Sequence, residues 1–496
     1  MNYSALISAG ILFIAKMPVF GSANHALKNE SDRAESEDSF KMNIIFIMVD
    51  DMGWTDLGCY GSDLHETPNI DRFSTESMKF TNAYSAAAIC TPTRAALLTG
   101  KHPARLDMTI WHEYSGEPKP DVREKLVGPT TVSNLPLEEF TIAEALKEAG
   151  YYTAHVGKWH LGNAIHYPEA QGFDINIGGT MWGMPYTYWH PYSGWRAIDG
   201  EYRYVPGLED PGADNTDDYL TDRLTDEALK IIEAKKDEPF FIHLSYYSPH
   251  VPLEGKPEYV EYFIKKARPD MYHRNPVYAA MIASLDENVG RILEKVEQAG
   301  ISDRTVIFFY SDNGGLASSR VNVNNNFPLR SGKGSLYEGG IRVPLVVRWP
   351  GITVPGSSSD TPVNTMDFYP TMLEMANIPG NEEHNRYIDG ISLVPVLNNP
   401  YSTPGRESLF WHYPHYYPGT TTPVSALRKG KWKLLHYFED NHIELFNLEM
   451  DIGEKNNLVE KYPEKAADLY NELQIWRKDI NAKLPSFNPL YKPESW

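Results

Sequence analysis

Ile44-Ile45-Phe46-Ile47-Met48-Val49 runs without a polar interruption into Asp50-Asp51. A strand with one wet face would alternate apolar and polar residues; an unbroken apolar run predicts a strand buried on both faces. Similar runs follow at Tyr152–Val156, Phe240–Ser245, Val306–Tyr310 and Leu345–Trp349. Helical stretches lie between them. One covers Leu137–Ala149 and stops at Gly150, a natural C-terminal cap. Another, amphipathic, covers about Ala279–Ala299 and stops at Gly300. Strands alternating with helices predict an α/β fold, a large mostly parallel sheet sandwiched by helices. After about residue 400 the pattern changes to short strands at Lys431–Tyr437 and Ile443–Asn447, then a helix at Pro463–Lys478. That predicts a smaller C-terminal α+β domain with an antiparallel sheet. The expected organisation is therefore a main domain over 41–400 and a subdomain over 401–496.

The chain has 496 residues, a length that suits two to four domains. Lys+Arg is 46 against Asp+Glu 66, a net charge of −20. This excludes a general nucleic-acid binder, because phosphate affinity needs an excess of Lys and Arg. An anionic substrate would need the positive charge concentrated in one pocket. Two cysteines exclude a scaffold built on disulfides. Aromatic residues reach 12%, with 31 Tyr and 11 Trp, which suits a grip on sugars or other flat ligands as well as a packed core. Ala5–Ala15 (ALISAGILFIA) is apolar but short for a bilayer, and the small residues Gly21 and Ala23 follow it. Residues 1–23 are expected to be an export signal and 24–40 a polar lead-in, delivering the protein to the periplasm or the outside of the cell. A buried N-terminal helix is the rival reading. No later segment predicts stable membrane insertion.

Ligands of parallel α/β sheets bind beyond the carboxyl ends of the strands. There Asp50-Asp51 follows the first strand, and Ser311-Asp312-Asn313-Gly314-Gly315 follows Val306–Tyr310. Three carboxylates and an amide offer oxygen ligands to a hard divalent cation, calcium rather than zinc. Either motif alone is common loop capping; the pair makes a metal site. Cys90-Thr91-Pro92-Thr93-Arg94 opens an Ala/Leu stretch that ends at Thr99-Gly100. Pro92 suits a first helical turn, so Cys90 falls where free amides and the helix dipole favour an anion. Arg94, one turn on, can reach back to it. A cysteine so placed is a low-pKa nucleophile or a buried structural residue.

Ala88–Gly100 (AICTPTRAALLTG) resembles the first signature of the type I, formylglycine-dependent sulfatases, and Gly150–His160 (GYYTAHVGKWH) resembles their second. Asp50-Asp51, Ser248-Pro249-His250, Asp312-Asn313-Gly314, and Gly332-Lys333-Gly334 with Tyr337-Glu338-Gly339-Gly340 fall in the family's order. The resemblance spans about residues 42–485. It implies an alkaline-phosphatase-like fold, a sulfuric ester hydrolase, and oxidation of Cys90 to formylglycine (3-oxoalanine) by a formylglycine-generating enzyme. Cys59 then stays a small buried residue. The aldehyde hydrates to a geminal diol; one hydroxyl attacks sulfur, and the second then expels sulfate. The resemblance further implies calcium held by Asp50, Asp51, Asp312 and Asn313, with the residue-90 side chain completing the shell. Arg94 and Lys158 orient the diol. His160 is the base of the release step. His250 and Lys333 bind sulfate and serve the departing alcohol.

Three aromatic stretches are candidate sugar contacts: Trp111-His112-Glu113-Tyr114, Met181–Trp195 and Trp411–Pro418. Within or beside them Trp111, His112, Trp182, Trp189, Arg196, His412 and His415 are the expected substrate residues; His384 and Arg386 are looser candidates for a second anionic group. A packed loop core is the competing explanation. The leading expectation is an exported calcium-dependent sulfatase acting on sulfated carbohydrate, of algal (ulvan, carrageenan) or glycosaminoglycan type. The alternatives are a phosphonate or phosphodiester hydrolase on the same scaffold, and a polyanion-binding protein in which Cys90 is never converted.

Overall fold

The computed structural model describes residues 41–198, 200–208, 218–317, 323–403 and 405–493. The expected export segment and lead-in lie outside the described residues. Residues 42–496 form one compact unit.

Its centre is an eight-stranded sheet. The strands are β1 (Asn43–Val49), β2 (Met78–Phe80), β3 (Tyr152–Gly157), β4 (Ile175–Ile177), β5 (Phe240–Ser245), β6 (Thr305–Ser311), β7 (Leu345–Arg348) and β8 (Ser357–Ser359). Their order is β8-β2-β7-β6-β1-β5-β3-β4. The run from β6 to β4 is parallel, and β7 is antiparallel to both its neighbours. β1 lies in the middle, which explains its unbroken apolar sequence. Ile45, Ile47 and Val49 face one helical layer; Ile44, Phe46 and Met48 face the other. The first layer includes Leu224 and Ile231 of α3 (Leu220–Lys235) and Met281, Leu285 and Val289 of α4 (Pro276–Gln298). The second includes Leu97 and Leu98 of α1 (Cys90–Thr99) and Ile142 and Leu146 of α2 (Ile142–Glu148). α2 starts later than its sequence pattern predicts. Thr141 accepts from the Glu144 amide and the Glu144 carboxylate accepts from the Thr141 amide, a reciprocal cap that fixes the start.

The C-terminal part holds a four-stranded antiparallel sheet: β9 (Ser408–Tyr413), β10 (Val424–Lys429), β11 (Trp432–Tyr437) and β12 (Ile443–Asn447), in that order. One face packs Leu427, Leu434 and Leu445 against Leu469 and Leu473 of α5 (Pro463–Asp479). The other packs Leu409, Trp411, Ala426 and Leu435 against Tyr84 and Ala87–Ile89, the segment that leads into Cys90. Trp411 also donates from its indole to the Ser85 carbonyl, at 2.8 Å. The small sheet is thus a wall behind the first turn of α1. Among the described residues no helix is long and apolar enough to cross a membrane.

Candidate active site

β1 and β6 pair in parallel with Val49 opposite Ser311, so Asp50-Asp51 and Asp312-Asn313 leave the sheet side by side. The Asp312 amide donates to the Val49 carbonyl at 3.1 Å, and the Asp51 amide to Asp312 Oδ1 at 3.2 Å. Lys158 arrives from β3, two strands away. The turn depends on Gly157, at φ 106°, where a Cβ would sit 1.9 Å from the Ser245 carbonyl oxygen. That close approach lets the Lys158 amide donate to the same oxygen at 2.7 Å. α1 begins at Cys90, so its first turn, with the amides that have no partner within the helix, borders the space beside Asp50.

The charged side chains interlock. Lys158 Nζ lies 2.7 Å from Asp50 Oδ2, and Cys90 Sγ lies 3.4 Å from Asp50 Oδ1. Arg94 grips Asp312 Oδ2 through Nε at 3.0 Å and Nη2 at 2.7 Å, and its Nη1 donates to Ser245 Oγ at 2.6 Å. Lys333 Nζ lies 2.9 Å from Asp51 Oδ2 and 2.9 Å from His250 Nε2. Three cations therefore face three carboxylates, all buried. Burial raises Asp50 to about 7, against the pull of Lys158. Burial also acts on Asp51, but Lys333 and His250 outweigh it and hold that carboxyl below its usual range. Burial pushes the Cys90 thiol up, so the unmodified cysteine is a poor nucleophile here. Burial and Lys333 together push His250 down to about 3.

His160 sits at φ 61°, and its Nε2 lies 2.7 Å from Glu113 Oε2. A carboxylate only accepts, so Nε2 carries the proton. His160 Nδ1 is then a buried acceptor, and it has no hydrogen-bond partner. In His250 the roles are reversed: Nδ1 donates to the Val251 carbonyl at 2.7 Å, leaving Nε2 to accept from Lys333.

The donor set fits a hard cation. The ligand atoms of Asp50, Asp51, Cys90 and His250 all lie within 4.8 Å of one another. Asn313 donates from Nδ2 to Asp51 Oδ1 at 2.7 Å, while its Oδ1 is buried and without a partner. Asp312, expected in the same shell, has its Oδ2 occupied by Arg94 and its Oδ1 facing the Asp51 amide.

The expected substrate residues divide. Trp111 packs on Tyr114 with ring centres 4.6 Å apart and the planes tilted by 50°, and meets Tyr417 edge-on at 5.4 Å. Tyr417 lies over Gly334, where a Cβ would come within 2.4 Å of its ring, so this aromatic group stands beside Lys333. The His112 ring is 6.4 Å from that of His160, with Nδ1 on the Ser133 carbonyl at 2.6 Å. Trp182 is buried under the Arg203 guanidinium at 4.8 Å and precedes Gly183, whose amide donates to Glu113. Trp189 packs on Tyr219 at 4.9 Å, and Arg196 is half-buried on a two-stranded ribbon. Other expectations require correction. His412 is on strand β9, buried, with Nδ1 bonded to Ser425 Oγ at 2.7 Å and Nε2 to the Lys483 carbonyl at 2.8 Å. Both nitrogens are occupied, so the ring has none for substrate. His415 is buried with Nε2 on Thr109 Oγ1 at 2.8 Å. His384 is likewise buried, its Nε2 on the Thr99 carbonyl at 2.7 Å, and Arg386 is an exposed partner of Glu382.

The sequence profile described as Sulfatase matches residues 42–378. The chain belongs to the sulfatase family. A second profile, described as N-sulphoglucosamine sulphohydrolase, C-terminal, matches residues 332–479 of this sulfatase. A protein named Sulfatase from Formosa agariphila is 32% identical, with 91% of each chain covered. Human arylsulfatase A is 31% identical over 80% of this chain and 75% of its own. The crystal structure of Ps i-CgsB in complex with k-i-k-neocarrahexaose superposes with a TM-score of 0.73 at 30% identity, covering 92% of this chain and 94% of that one. This sulfatase is accordingly a sulfuric ester hydrolase with an alkaline-phosphatase-like sheet. Sequence reading missed three residues of its site. Glu113 lay in a quoted aromatic stretch but has no charge partner nearby in sequence. Ser245, the last residue of a predicted strand, gives no chemical signal of its own. Tyr417 was one aromatic among several in Trp411–Pro418.

Proposed function

We propose that this sulfatase is an exported, calcium-dependent enzyme that hydrolyses sulfate esters of a sulfated saccharide through a formylglycine made from Cys90 by a formylglycine-generating enzyme. The placement of Cys90 carries the reading: its Sγ stands 3.4 Å from Asp50 Oδ1, on the first turn of α1. The sulfur marks where the diol oxygen of the converted residue would be. Formylglycine there supplies a nucleophilic hydroxyl and a second one for release, and calcium supplies positive charge against the sulfate oxygens. Asp50, Asp51, Asp312 and Asn313 would hold the ion, with residue 90 beside them. Lys158 and Arg94 fix these carboxylates and orient residue 90. His160 Nδ1, unpartnered and fixed as an acceptor by Glu113, takes the proton of the release step. Lys333, its ammonium held by Asp51 and by the His250 lone pair, donates to the departing alcohol oxygen.

A saccharide substrate is supported by the Trp111, Tyr114 and Tyr417 group, in which Tyr114 is 67% exposed. It is supported too by relatives named N-acetylgalactosamine-6-sulfatase, 32% identical over 72% of this chain, and by the neocarrahexaose complex of Ps i-CgsB. Export rests on the apolar run Ala5–Ala15. Two measurements test the reading. The mass of the peptide carrying residue 90, after coexpression with the maturation enzyme, should show an aldehyde in place of the thiol. The converted enzyme should turn over an aryl sulfate far faster than an aryl phosphate diester. A persistent thiol, or the reverse preference, would refute it.

A further inference from the structure

Behind the Asp50-Asp51 turn lies a second group of ligand-type side chains, which the reaction does not use. Asp56, His65 and His273 are 0%, 5% and 3% exposed, and one ligand atom from each lies within 4.8 Å of the others. Asp56 Oδ1 is 3.3 Å from His273 Nε2 and 3.7 Å from His65 Nδ1. The two rings stand 4.5 Å apart. We propose that Asp56, His65 and His273 form a structural site for a divalent transition cation of the zinc class.

Hydrogen-bond accounting supports this. His273 Nδ1 lies 2.8 Å from Asp63 Oδ1, and a carboxylate only accepts, so Nδ1 carries the proton. In the neutral ring Nε2 is then a lone pair, 3.3 Å from an anionic oxygen. The Asp56 carboxylate is used unevenly. Its Oδ2 accepts from the Gly53 amide at 2.6 Å, the Tyr278 hydroxyl at 2.7 Å and Asn324 Nδ2 at 2.8 Å. Its Oδ1 is buried with no hydrogen-bond partner, and so is His273 Nε2. Two buried acceptors in such close contact are unfavourable unless something positive sits beside them. A tetrahedral ion with bonds of about 2.0–2.2 Å places its ligands about 3.3 Å apart, close to the spacings here. Two imidazoles and a carboxylate favour zinc, cobalt or nickel over calcium. Asp63 behind His273 is the carboxylate that commonly orients a ligating imidazole. In the metal-free ring His65 Nδ1 donates to the Asp56 carbonyl at 3.0 Å; to ligate, His65 would take the other tautomer, which frees both its Nδ1 lone pair and that carbonyl oxygen for the ion.

The site would tie the loop after β1 to the segment that enters α4. Tyr278 relays it to the catalytic turn, with its hydroxyl 2.7 Å from Asp56 Oδ2 and 3.0 Å from the Asp51 carbonyl oxygen. The rival occupant is a proton on His273, an imidazolium between two carboxylates.

The test is metal uptake by the full-length protein stripped with a chelator, read by elemental analysis and by the visible absorption of tetrahedral cobalt. With calcium kept in excess to fill the catalytic centre, one equivalent of zinc or cobalt should bind to the wild type and to Cys90→Ala alike. His65→Gln and His273→Gln should each weaken that binding about 100-fold. Anomalous diffraction at the zinc edge from wild-type crystals, which needs no variant to fold, should place the ion between the three side chains. No uptake by wild type, uptake unchanged in both histidine variants, or no anomalous peak at this position would overturn the proposal in favour of the proton.

Discussion

Asp51 and His160 both turn the chain into left-handed backbone, at φ 63° and 61°, directly after strands or strand-like segments that feed the site. Strain of this kind persists where neighbours over-determine it. Around Asp51 those neighbours are the Tyr278 hydroxyl, the Asn313 amide and Lys333. Around His160 they are the Thr91 hydroxyl on its carbonyl and Glu113 on its ring. Glu113 holds the ring in one tautomer and touches no reacting atom, so it is a positioning residue. Glu113→Gln should lower kcat about 10- to 100-fold and leave KM nearly unchanged, with Glu113→Asp recovering part of the loss. A pure KM effect would contradict the assignment. The Lys333–His250 pair makes a different prediction, because its role is with the leaving group. A sugar hydroxyl leaves poorly and needs a proton; a phenol, with a pKa of about 7–10, needs little help. His250→Ala removes the acceptor that aims the Lys333 ammonium. It should reduce kcat/KM on a sugar sulfate by about 100-fold or more and on an activated aryl sulfate by far less. Equal losses on both substrates would reduce His250 to a sulfate-binding group.

Elements explain which residues could be read in advance. β1 and the core of β6 are legible because a strand buried on both faces reads as a nearly unbroken apolar run, and the metal-type carboxylates follow directly from their ends. β9 was not legible. Trp411–Pro418 carries two prolines and many rings, the composition of a binding loop, yet Ser408–Tyr413 pairs along its whole length with β10. Pairing is non-local, and no local signal announces it. His412 therefore points to the α5 side of the small sheet, opposite Trp411, into Ser425 and the Lys483 carbonyl, and not at substrate. That burial has a measurable consequence. Burial lowers the His412 pKa from 6.5 to about 3, with His102 and Arg477 acting in the same direction and the Lys483 carbonyl opposing. The folded state thus binds this proton more weakly than the unfolded chain. Its stability contribution is complete above pH 6.5 and declines as pH falls toward 3, by about 1.4 kcal/mol per pH unit well below 6.5. In His412→Gln the acid side of the stability profile, followed by urea unfolding between pH 7 and 4.5, should be flatter by about that slope. An unchanged profile would mean that His412 is already protonated in the fold.

The whole molecule carries −20 while its substrate-facing centre balances Arg94, Lys158 and Lys333 against Asp50, Asp51 and Asp312. A divalent cation in that centre would make it locally positive, but the field a distant polyanion meets is set by net charge. Near and far effects are separated by salt, because the Debye length falls from about 30 Å at 0.01 M to about 8 Å at 0.15 M. At low ionic strength a multiply sulfated oligosaccharide is repelled during approach, and added salt should relieve this. A substrate with one sulfate on an uncharged aryl group carries much less charge and should notice much less. Between these two salt concentrations kcat/KM should rise about threefold or more for the oligosaccharide and change less than about twofold for the aryl sulfate. Contacts inside the pocket are buried and are screened weakly, so kcat itself should stay nearly constant for both. The comparison needs only initial rates at subsaturating substrate across a salt series. A fall in kcat/KM for the oligosaccharide would show that the basic centre, reinforced by its cation, steers encounter against the acidic surface around it.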